Sequence, residues 1–183
     1  MKDLMIDIEA LGNGKNAVIV QIGACYFDRK SGEIGNTFLE TIDVEDACKY
    51  GDVDGSTLKW WFSQSNEAIK KVMSGDKKLL TVFDLFYSFS KNAECVWSHA
   101  TYDFVILTNA YKMCGLKPPF GYRTARDIRT LTDLAGIKPP KKKENFKGIE
   151  HCALDDAIYQ VGYCVEALKI LSQEQPNDEK EKK

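Results

Sequence analysis

The first 42 residues carry the hydrophobic pattern of β-strands. Three segments, 4–9, 18–28 and 36–42, are rich in β-branched and aromatic residues. A glycine-containing loop and a polar turn separate the three segments. Because strands joined by short polar segments pair as hairpins, this part of the chain predicts an antiparallel meander of three strands.

Beyond residue 56 the apolar positions recur at helical spacing, interrupted by one further strand-like segment. A meander followed by strands that alternate with helices is typical of an α/β fold, in which helices flank a mixed central β-sheet. No G-x-G-x-x-G follows the first strand and the sequence has no Walker-type loop, which excludes a dinucleotide-binding or P-loop fold. The predicted elements are helices from residue 56, a helix over 79–89, a strand over 94–99 and helices over 102–114, 126–135 and 154–171.

The length of 183 residues and the hydrophobic content of 44% predict one globular domain. We assign this domain to residues 1–173, because residues 174–183 contain no hydrophobic side chain and predict a disordered polar tail. No apolar run approaches the roughly 20 residues that span a bilayer, and the first residues lack a signal-peptide pattern. These features predict a cytoplasmic protein with no membrane partner.

A formal net charge of −2 does not by itself indicate a nucleic-acid partner, so individual acids carry more information. Asp7 and Glu9 lie two positions apart on the first predicted strand, and the strand period of two puts both carboxylates on one face. Two acids on a central strand are tolerable when they bind a hard cation such as Mg²⁺ or Mn²⁺. The alternative is a solvated pair at an exposed sheet edge.

Three further residues lie at predicted element boundaries. Asp103 follows a strand and opens a helix, at the end of the sheet where α/β proteins place their sites, although a helix cap is the alternative. His151 and Asp156 begin the last helix, directly after a lysine-rich loop over 138–147. A histidine in this position is suited to act as a base beside a polyanionic substrate, and the alternative is a capping histidine behind a solvated linker.

The chain resembles the histidine-bearing subclass of the DEDD exonucleases in the order and spacing of three motifs. These motifs are D-x-E, a distant Asp after a strand, and H-x-x-x-x-D. Within that superfamily the chain is most similar to the phage DexA-type exodeoxyribonucleases and the RNase T-like exoribonucleases. Five blocks that extend over nearly the whole chain carry the resemblance: IDIEALG (6–12), WW with QSxEA (60–68), YDFxIL (102–107), RDIRT (126–130) and HxAxxDA (151–157).

The resemblance implies a ribonuclease H-like fold and removal of nucleotides from single-stranded 3′ ends, with DNA favoured over RNA. It also implies two divalent cations, Mg²⁺ or Mn²⁺, as cofactors. Two ions about 3.5–4 Å apart suit an in-line displacement at phosphorus. By resemblance, the metal ligands are Asp7, Glu9, Asp103 and Asp156, and His151 deprotonates the attacking water.

The resemblance further implies substrate contacts. Leu11 and Gly12 follow the first acids, and Leu11 would pack on the last base. Ala10 stands where many relatives carry a hydroxyl residue, and His99 stands where small or amide residues are more usual. For His99 the alternative to a substrate contact is a structural role at the end of the strand. Trp60 and Trp61 are adjacent, and one of them, assigned as Trp61, would line the groove. The alternative is that this side chain packs in the core. The predicted substrate-binding residues are Ala10, Leu11, Gly12, Trp61, His99, Tyr102, Arg126, Arg129 and Lys147. The basic residues among them are candidates for phosphate contacts.

Several alternatives stay open from the sequence. The first alternative is that the substrate is RNA instead of DNA. The second is that the chain is a nucleic-acid-binding module that keeps the groove without turnover. A third alternative is a generic α/β interaction domain with incidental acids. RNase T-like relatives pair as dimers, so a homodimer is also left open.

Overall fold

One five-stranded mixed sheet lies at the centre of the computed structural model, which describes residues 1–138 and 146–173. Its strands are β1 (Asp3–Ala10), β2 (Ile19–Phe27), β3 (Ile34–Thr41), β4 (Cys95–Ser98) and β5 (Ala125–Asp127). They lie in the order β3-β2-β1-β4-β5. The first three strands pair antiparallel, whereas β4 pairs parallel with β1 and β5 pairs parallel with β4. The predicted mixed sheet that begins with an antiparallel meander is therefore confirmed.

Helices cover both faces of this sheet. Within the described residues, none of them is long and apolar enough to cross a lipid bilayer. Several begin at a side chain that accepts a backbone hydrogen bond, as Ser65 does from the N–H of Ala68. The α-helices are α1 (Val44–Ala47), α2 (Gly55–Trp61), α3 (Asn66–Met73), α4 (Leu79–Ser90), α5 (Asp103–Met113), α6 (Ile128–Leu134) and α7 (Ala153–Gln173).

The alternation of side chains along β1 separates two hydrophobic cores. Leu4, Ile6 and Ile8 point to the face that α3, α4 and α5 cover. Met5 points to the opposite face, where it packs with residues of α6 and α7. Asp7 and Glu9 continue this second row beyond Met5, at the end of the strand. The two carboxylates thus leave β1 on the side that α7 covers.

One predicted element is wrong at its start. The sequence pattern predicts a helix over 126–135, whereas Ala125–Asp127 form β5 and α6 begins at Ile128. Asp127 accepts a hydrogen bond from the N–H of Thr130 and caps α6. Three residues are too few to display a period of two, and β5 is defined by its backbone pairing with β4.

The predicted domain boundary coincides with the end of α7 at Gln173. The polar tail predicted over 174–183 lies outside the described residues, as do residues 139–145 of the lysine-rich loop. The assignment of a single domain to residues 1–173 therefore stays a prediction.

Candidate active site

A cleft of about 580 Å³ opens at the edge of the sheet where β1 and β4 end. Because these two strands run parallel, their carboxyl ends meet at this edge. The start of α7 closes the cleft from the other side, since Asp156 and Gln160 line it. The predicted catalytic residues all line this cleft: Asp7, Glu9, Asp103, His151 and Asp156.

Asp103 ties the ends of the two strands together. It is the first residue of α5 and is 2% exposed. Its Oδ1 accepts a hydrogen bond from the N–H of Ile8 at 3.3 Å, and its Oδ2 accepts one from the N–H of His99 at 3.0 Å. The carboxylate is therefore fixed by backbone groups of β1 and of the loop that follows β4.

Two residues of β2 hold the start of α7 against the sheet. Gly23 lies opposite Asp7 in the strand pairing, and a Cβ at Gly23 would lie 2.1 Å from the carbonyl carbon of Ala153. Only a residue without a side chain allows this approach. Gln21 adds a hydrogen bond, because its Oε1 accepts from the N–H of Ala153 at 2.8 Å. This contact places Asp156 close enough to Asp7 for their charges to interact.

His151 occupies a left-handed backbone conformation, with φ of 64°. This conformation is uncommon for a residue other than glycine and is typical of functional sites. The N–H of His151 donates to Oδ2 of Asp156 at 3.2 Å, and the N–H of Ile149 donates to Oδ2 of Asp155 at 2.9 Å. The His151 ring packs edge to face against Trp60, with ring centroids 4.7 Å apart. Asp155 and Asp156 thus hold the backbone at and before His151, and the Trp60 ring packs against the imidazole.

Burial raises the pKa of two acids in the cleft, Asp7 and Asp103. For Asp7, burial moves the pKa well above 3.8, and the charges of Asp103, Glu9 and Asp156 raise it further. Burial likewise raises the pKa of Asp103 to about 7. Gln160 opposes the effect at Asp7, because its Nε2 donates to Oδ1 of Asp7 at 2.6 Å. Buried carboxylates that repel one another need positive charge close by.

The donor atoms in the cleft suit divalent cations. Carboxylate oxygens are the ligands that Mg²⁺ and Mn²⁺ prefer. Oε1 of Gln160 is also buried and has no hydrogen-bond partner among the described residues, so it can accept a hydrogen bond from water on a bound ion. Two groups each offer ligand atoms within 4.8 Å of one another: Asp7, His99 and Asp103, and Glu9, His151 and Asp156.

The metal-free protein is expected to lose stability as the pH rises from about 4 to about 7. The folded chain holds the Asp103 proton up to a pKa of about 7, whereas an ordinary aspartate loses it near 3.8. The retained proton stabilises the folded chain fully at a pH below the pKa of the unfolded state. This stabilisation, on the order of a few kcal/mol in all, is lost as the pH rises through the pKa of the folded state. Thermal melts in EDTA across this range measure the loss. Asp103→Asn is the control, and an equally steep loss in this variant would contradict the prediction.

The predicted substrate-binding residues divide into two groups. Ala10, His99, Tyr102 and Arg129 line the cleft together with the acids. The remaining residues do not belong to its lining: Leu11, Gly12, Trp61, Arg126 and Lys147.

The contacts of the second group explain these positions. Leu11 is buried in the core. Trp61 is also buried, and its Nε1 donates to the carbonyl oxygen of Ala10 at 2.9 Å, whereas the adjacent Trp60 is 43% exposed and lines the cleft. Gly12 contributes its carbonyl oxygen, which accepts a hydrogen bond from the Tyr102 hydroxyl at 2.9 Å. Trp61 therefore packs in the core, which is the alternative to lining the groove.

The side chains of Arg126 and Lys147 are both exposed. Nη1 of Arg126 donates to the carbonyl oxygens of Arg123 and Ala125, at 2.9 and 2.8 Å. Lys147 follows the part of the lysine-rich loop that lies outside the described residues. Phosphate contacts by these two residues stay a prediction.

The site also contains residues that the sequence patterns did not indicate. Gln160 lies four positions after Asp156, a spacing that places both on one face of a helix and that offers a signal. Asp127 accepts hydrogen bonds from the N–H groups of Ala100 and Thr130, and so joins the helix that carries Arg129 to the loop after β4. Gly23 has no comparable local signal, because its role depends on a contact with α7.

The sequence matches the family model described as the 3′-5′ exoribonuclease Rv2179c-like domain over residues 2–168. This chain belongs to the Rv2179c-like family. The prediction of a 3′-5′ exonuclease domain is confirmed by this match. The Rv2179c-like domain is also 29% identical, over 90 residues, to an exodeoxyribonuclease of Enterobacteria phage T4. That match covers 45% of this chain and 39% of the phage protein, so it spans less than half of the relative's length.

Solved structures share the fold of this Rv2179c-like domain. The nuclease domain of 3′hExo, a DEDDh family member bound to rAMP, has a TM-score of 0.63 at 15% identity and 91% coverage of both chains. Exonuclease I of E. coli, in complex with a dT13 oligonucleotide, has a TM-score of 0.61 at 16% identity, with 95% of this chain and 41% of that chain covered. At 15 and 16% identity these structures show a shared fold, and the predicted ribonuclease H-like fold is therefore confirmed.

Proposed function

We propose that this chain removes nucleotides from single-stranded 3′ ends by two-metal-ion hydrolysis. The observation that carries the proposal is the convergence of four buried carboxylates and His151 in one cleft. Burying these acids together destabilises the metal-free chain, and bound cations are the compensation that oxygen ligands of this kind favour. Asp7, Glu9, Asp103 and Asp156 would hold two ions, Mg²⁺ or Mn²⁺.

His151 is the residue that we propose as the base for the attacking water. Histidine titrates near neutral pH, so an imidazole beside the acids is able to accept this proton. Its backbone hydrogen bond to Asp156 and its contact with Trp60 hold the ring at the cleft. When bound, the two cations would stabilise charge on the attacking and leaving oxygens. Arg129 lines the same cleft and would hold a phosphate oxygen of the substrate.

Single-stranded DNA is the substrate that we favour, with RNA as the second candidate. The relative from phage T4 is named an exodeoxyribonuclease, and the blocks shared with DexA-type enzymes support DNA. The description of the matched family names an exoribonuclease, which supports RNA. Discrimination between the two depends on whether a side chain in the cleft meets the 2′-hydroxyl.

We propose the cytoplasm as the compartment in which this activity takes place. All six cysteines of the chain lie within the described residues, and all are free thiols. Free thiols persist in reducing compartments, where structural disulfides are rare.

In the presence of Mn²⁺, the protein is expected to shorten a 5′-labelled single-stranded DNA from its 3′ end, producing a ladder on a sequencing gel. EDTA should stop the reaction because the carboxylates lose their cations. His151→Asn should lower the rate constant by about 100- to 10,000-fold, since it removes the base while preserving a hydrogen-bonding side chain. An RNA of matched sequence, assayed in parallel, is expected to be shortened more slowly.

Each other outcome of this assay changes the proposal in a defined way. Faster shortening of RNA than of DNA would move the substrate assignment to RNA. A folded protein that binds either strand and shortens neither would establish a binding module and contradict the exonuclease proposal. A ladder that grows from the 5′ end, tested with a 3′-labelled strand, would contradict the direction.

A further inference from the structure

The chain contains two histidines, and both line the catalytic cleft. One is His151, the proposed base. The other, His99, follows β4, and its side chain is 26% exposed. The proposed reaction gives His151 a role as the base and gives the imidazole of His99 no role.

The position of His99 relative to Asp103 fits ligands of a common ion. Nδ1 of His99 lies 3.8 Å from Oδ2 of Asp103, which is too far for a hydrogen bond. Two ligands of one ion, each about 2.1 Å from it, lie at most about 4.2 Å apart. One ligand atom from each of Asp7, His99 and Asp103 lies within 4.8 Å of the others. Shifts of about half an ångström would bring all three onto one ion.

The backbone around His99 is held in place before any ion binds. Oδ2 of Asp103 accepts from the N–H of His99, and Oδ1 of Asp127 accepts from the N–H of Ala100, both at 3.0 Å. Hydrogen bonds of this kind orient metal ligands in proteins and raise their affinity. The loop that carries His99 is therefore organised from two sides, by α5 and by the start of α6.

A second observation points to a ligand at the same place. Gln160 is 4% exposed, and its Nε2 donates to Oδ1 of Asp7. Gln160 lines the cleft, and its Oε1 is buried and has no hydrogen-bond partner among the described residues. A buried acceptor of this kind requires a donor, and water bound to an ion beside Asp7 would supply one.

We propose that His99 is a metal ligand for one of the two cations. Together with Asp7 and Asp103 it would form a site with two carboxylate oxygens and one imidazole nitrogen as ligands. The inference rests on the proposed function, since it concerns the same cleft. Imidazole nitrogen is a better ligand for Mn²⁺ and later transition metals than for Mg²⁺, which prefers oxygen and water. His99 therefore biases this site towards Mn²⁺.

The test is metal binding without substrate. Isothermal titration of the protein with MnCl₂ and with MgCl₂, at one slightly alkaline pH, gives the ratio of the two affinities. His99→Asn is expected to weaken Mn²⁺ binding about 10- to 100-fold, while Mg²⁺ binding changes by less than about threefold. His99→Gln, which keeps a longer polar side chain, serves as the second variant if His99→Asn fails to fold. Ser56→Ala alters the cleft wall at a residue with no proposed ligand role, and should leave the ratio unchanged.

The outcomes separate this inference from the proposed function. A wild-type protein that binds no divalent ion and shortens no strand would contradict the proposed function itself. A wild-type protein that binds Mn²⁺ and shortens DNA, with an unchanged Mn²⁺ to Mg²⁺ ratio in folded His99 variants, would overturn only the role of His99. A higher KM for DNA with unchanged metal affinities would make His99 a phosphate contact and equally overturn it.

Discussion

Asp7→Asn is expected to lower the exonuclease rate at least about 1,000-fold and, at the same time, to raise the melting temperature of the metal-free protein. The loss of rate corresponds to about 4 kcal/mol of transition-state stabilisation, which is the scale of one lost ligand in a two-metal site. The gain in stability follows because burial and the charges of Asp103, Glu9 and Asp156 already disfavour ionised Asp7. Asparagine keeps the shape of the side chain and an oxygen that accepts from Gln160.

Two measurements check this result. Differential scanning fluorimetry in EDTA compares the two proteins, and each kcal/mol of relieved repulsion should raise the melting temperature by about 2–4 °C. Adding Mn²⁺ should stabilise the wild-type protein, because an ion that binds only the folded state raises its free energy of unfolding, and should stabilise the variant much less. A melting temperature that falls in the metal-free variant, or an unchanged cleavage rate, would contradict the assignment of Asp7 as a metal ligand.

The acids could be found from the sequence because their positions follow from local geometry. A strand period of two is enough to place Asp7 and Glu9 on one side of β1. Asp103 follows a recognisable strand, and the parallel pairing of β1 with β4 brings it to the same edge. The short spacing along the chain links His151, two residues before α7, to Asp156 in the first turn of this helix. Each of these inferences needs only the secondary structure and the handedness of ordinary connections.

The tryptophan pair shows where local geometry is insufficient. Neighbouring residues on a helix point about 100° apart, so the pattern indicates that Trp60 and Trp61 face different surroundings. It does not indicate which of them faces the cleft. That choice depends on how α2 lies against the end of β1, where Nε1 of Trp61 donates to the Ala10 carbonyl oxygen. The start of α6 was missed for the same reason, because β5 exists through its pairing with β4.

The groups that hold the proposed catalytic side chains in place were the hardest to predict. Gln160 and Gly23 act through residues that are distant in the sequence, the first on Asp7 and the second on the start of α7. A glutamine inside a helix and a glycine inside a strand have many ordinary explanations. Their roles become visible only when the packing of α7 against the sheet is known.

Gly23→Ala is expected to reduce activity about 100-fold and to destabilise the protein by about 1–3 kcal/mol or more. The new Cβ would lie 2.1 Å from the Ala153 carbonyl carbon and from the Leu154 nitrogen, and a main chain is not able to yield as a flexible side chain does. The start of α7 must therefore move away from β2. His151 and Asp156 move with it, and a misplacement of about 1 Å at a catalytic group costs about 100-fold in rate.

Gly162→Ala, in the middle of the same helix, is the matched control for Gly23→Ala. A Cβ there meets no atom within 4 Å, so replacing glycine by a better helix former should stabilise the protein by about 0.5–1 kcal/mol. Urea denaturation and cleavage rates, measured for both variants, distinguish a general effect of alanine from a displaced helix. We expect Gly23→Ala to lower the free energy of unfolding and Gly162→Ala to raise it, and we expect only Gly23→Ala to lose cleavage rate. Equal rates in the two variants would show that the position of α7 tolerates a shift, and would remove Gly23 from the groups that position the catalytic residues.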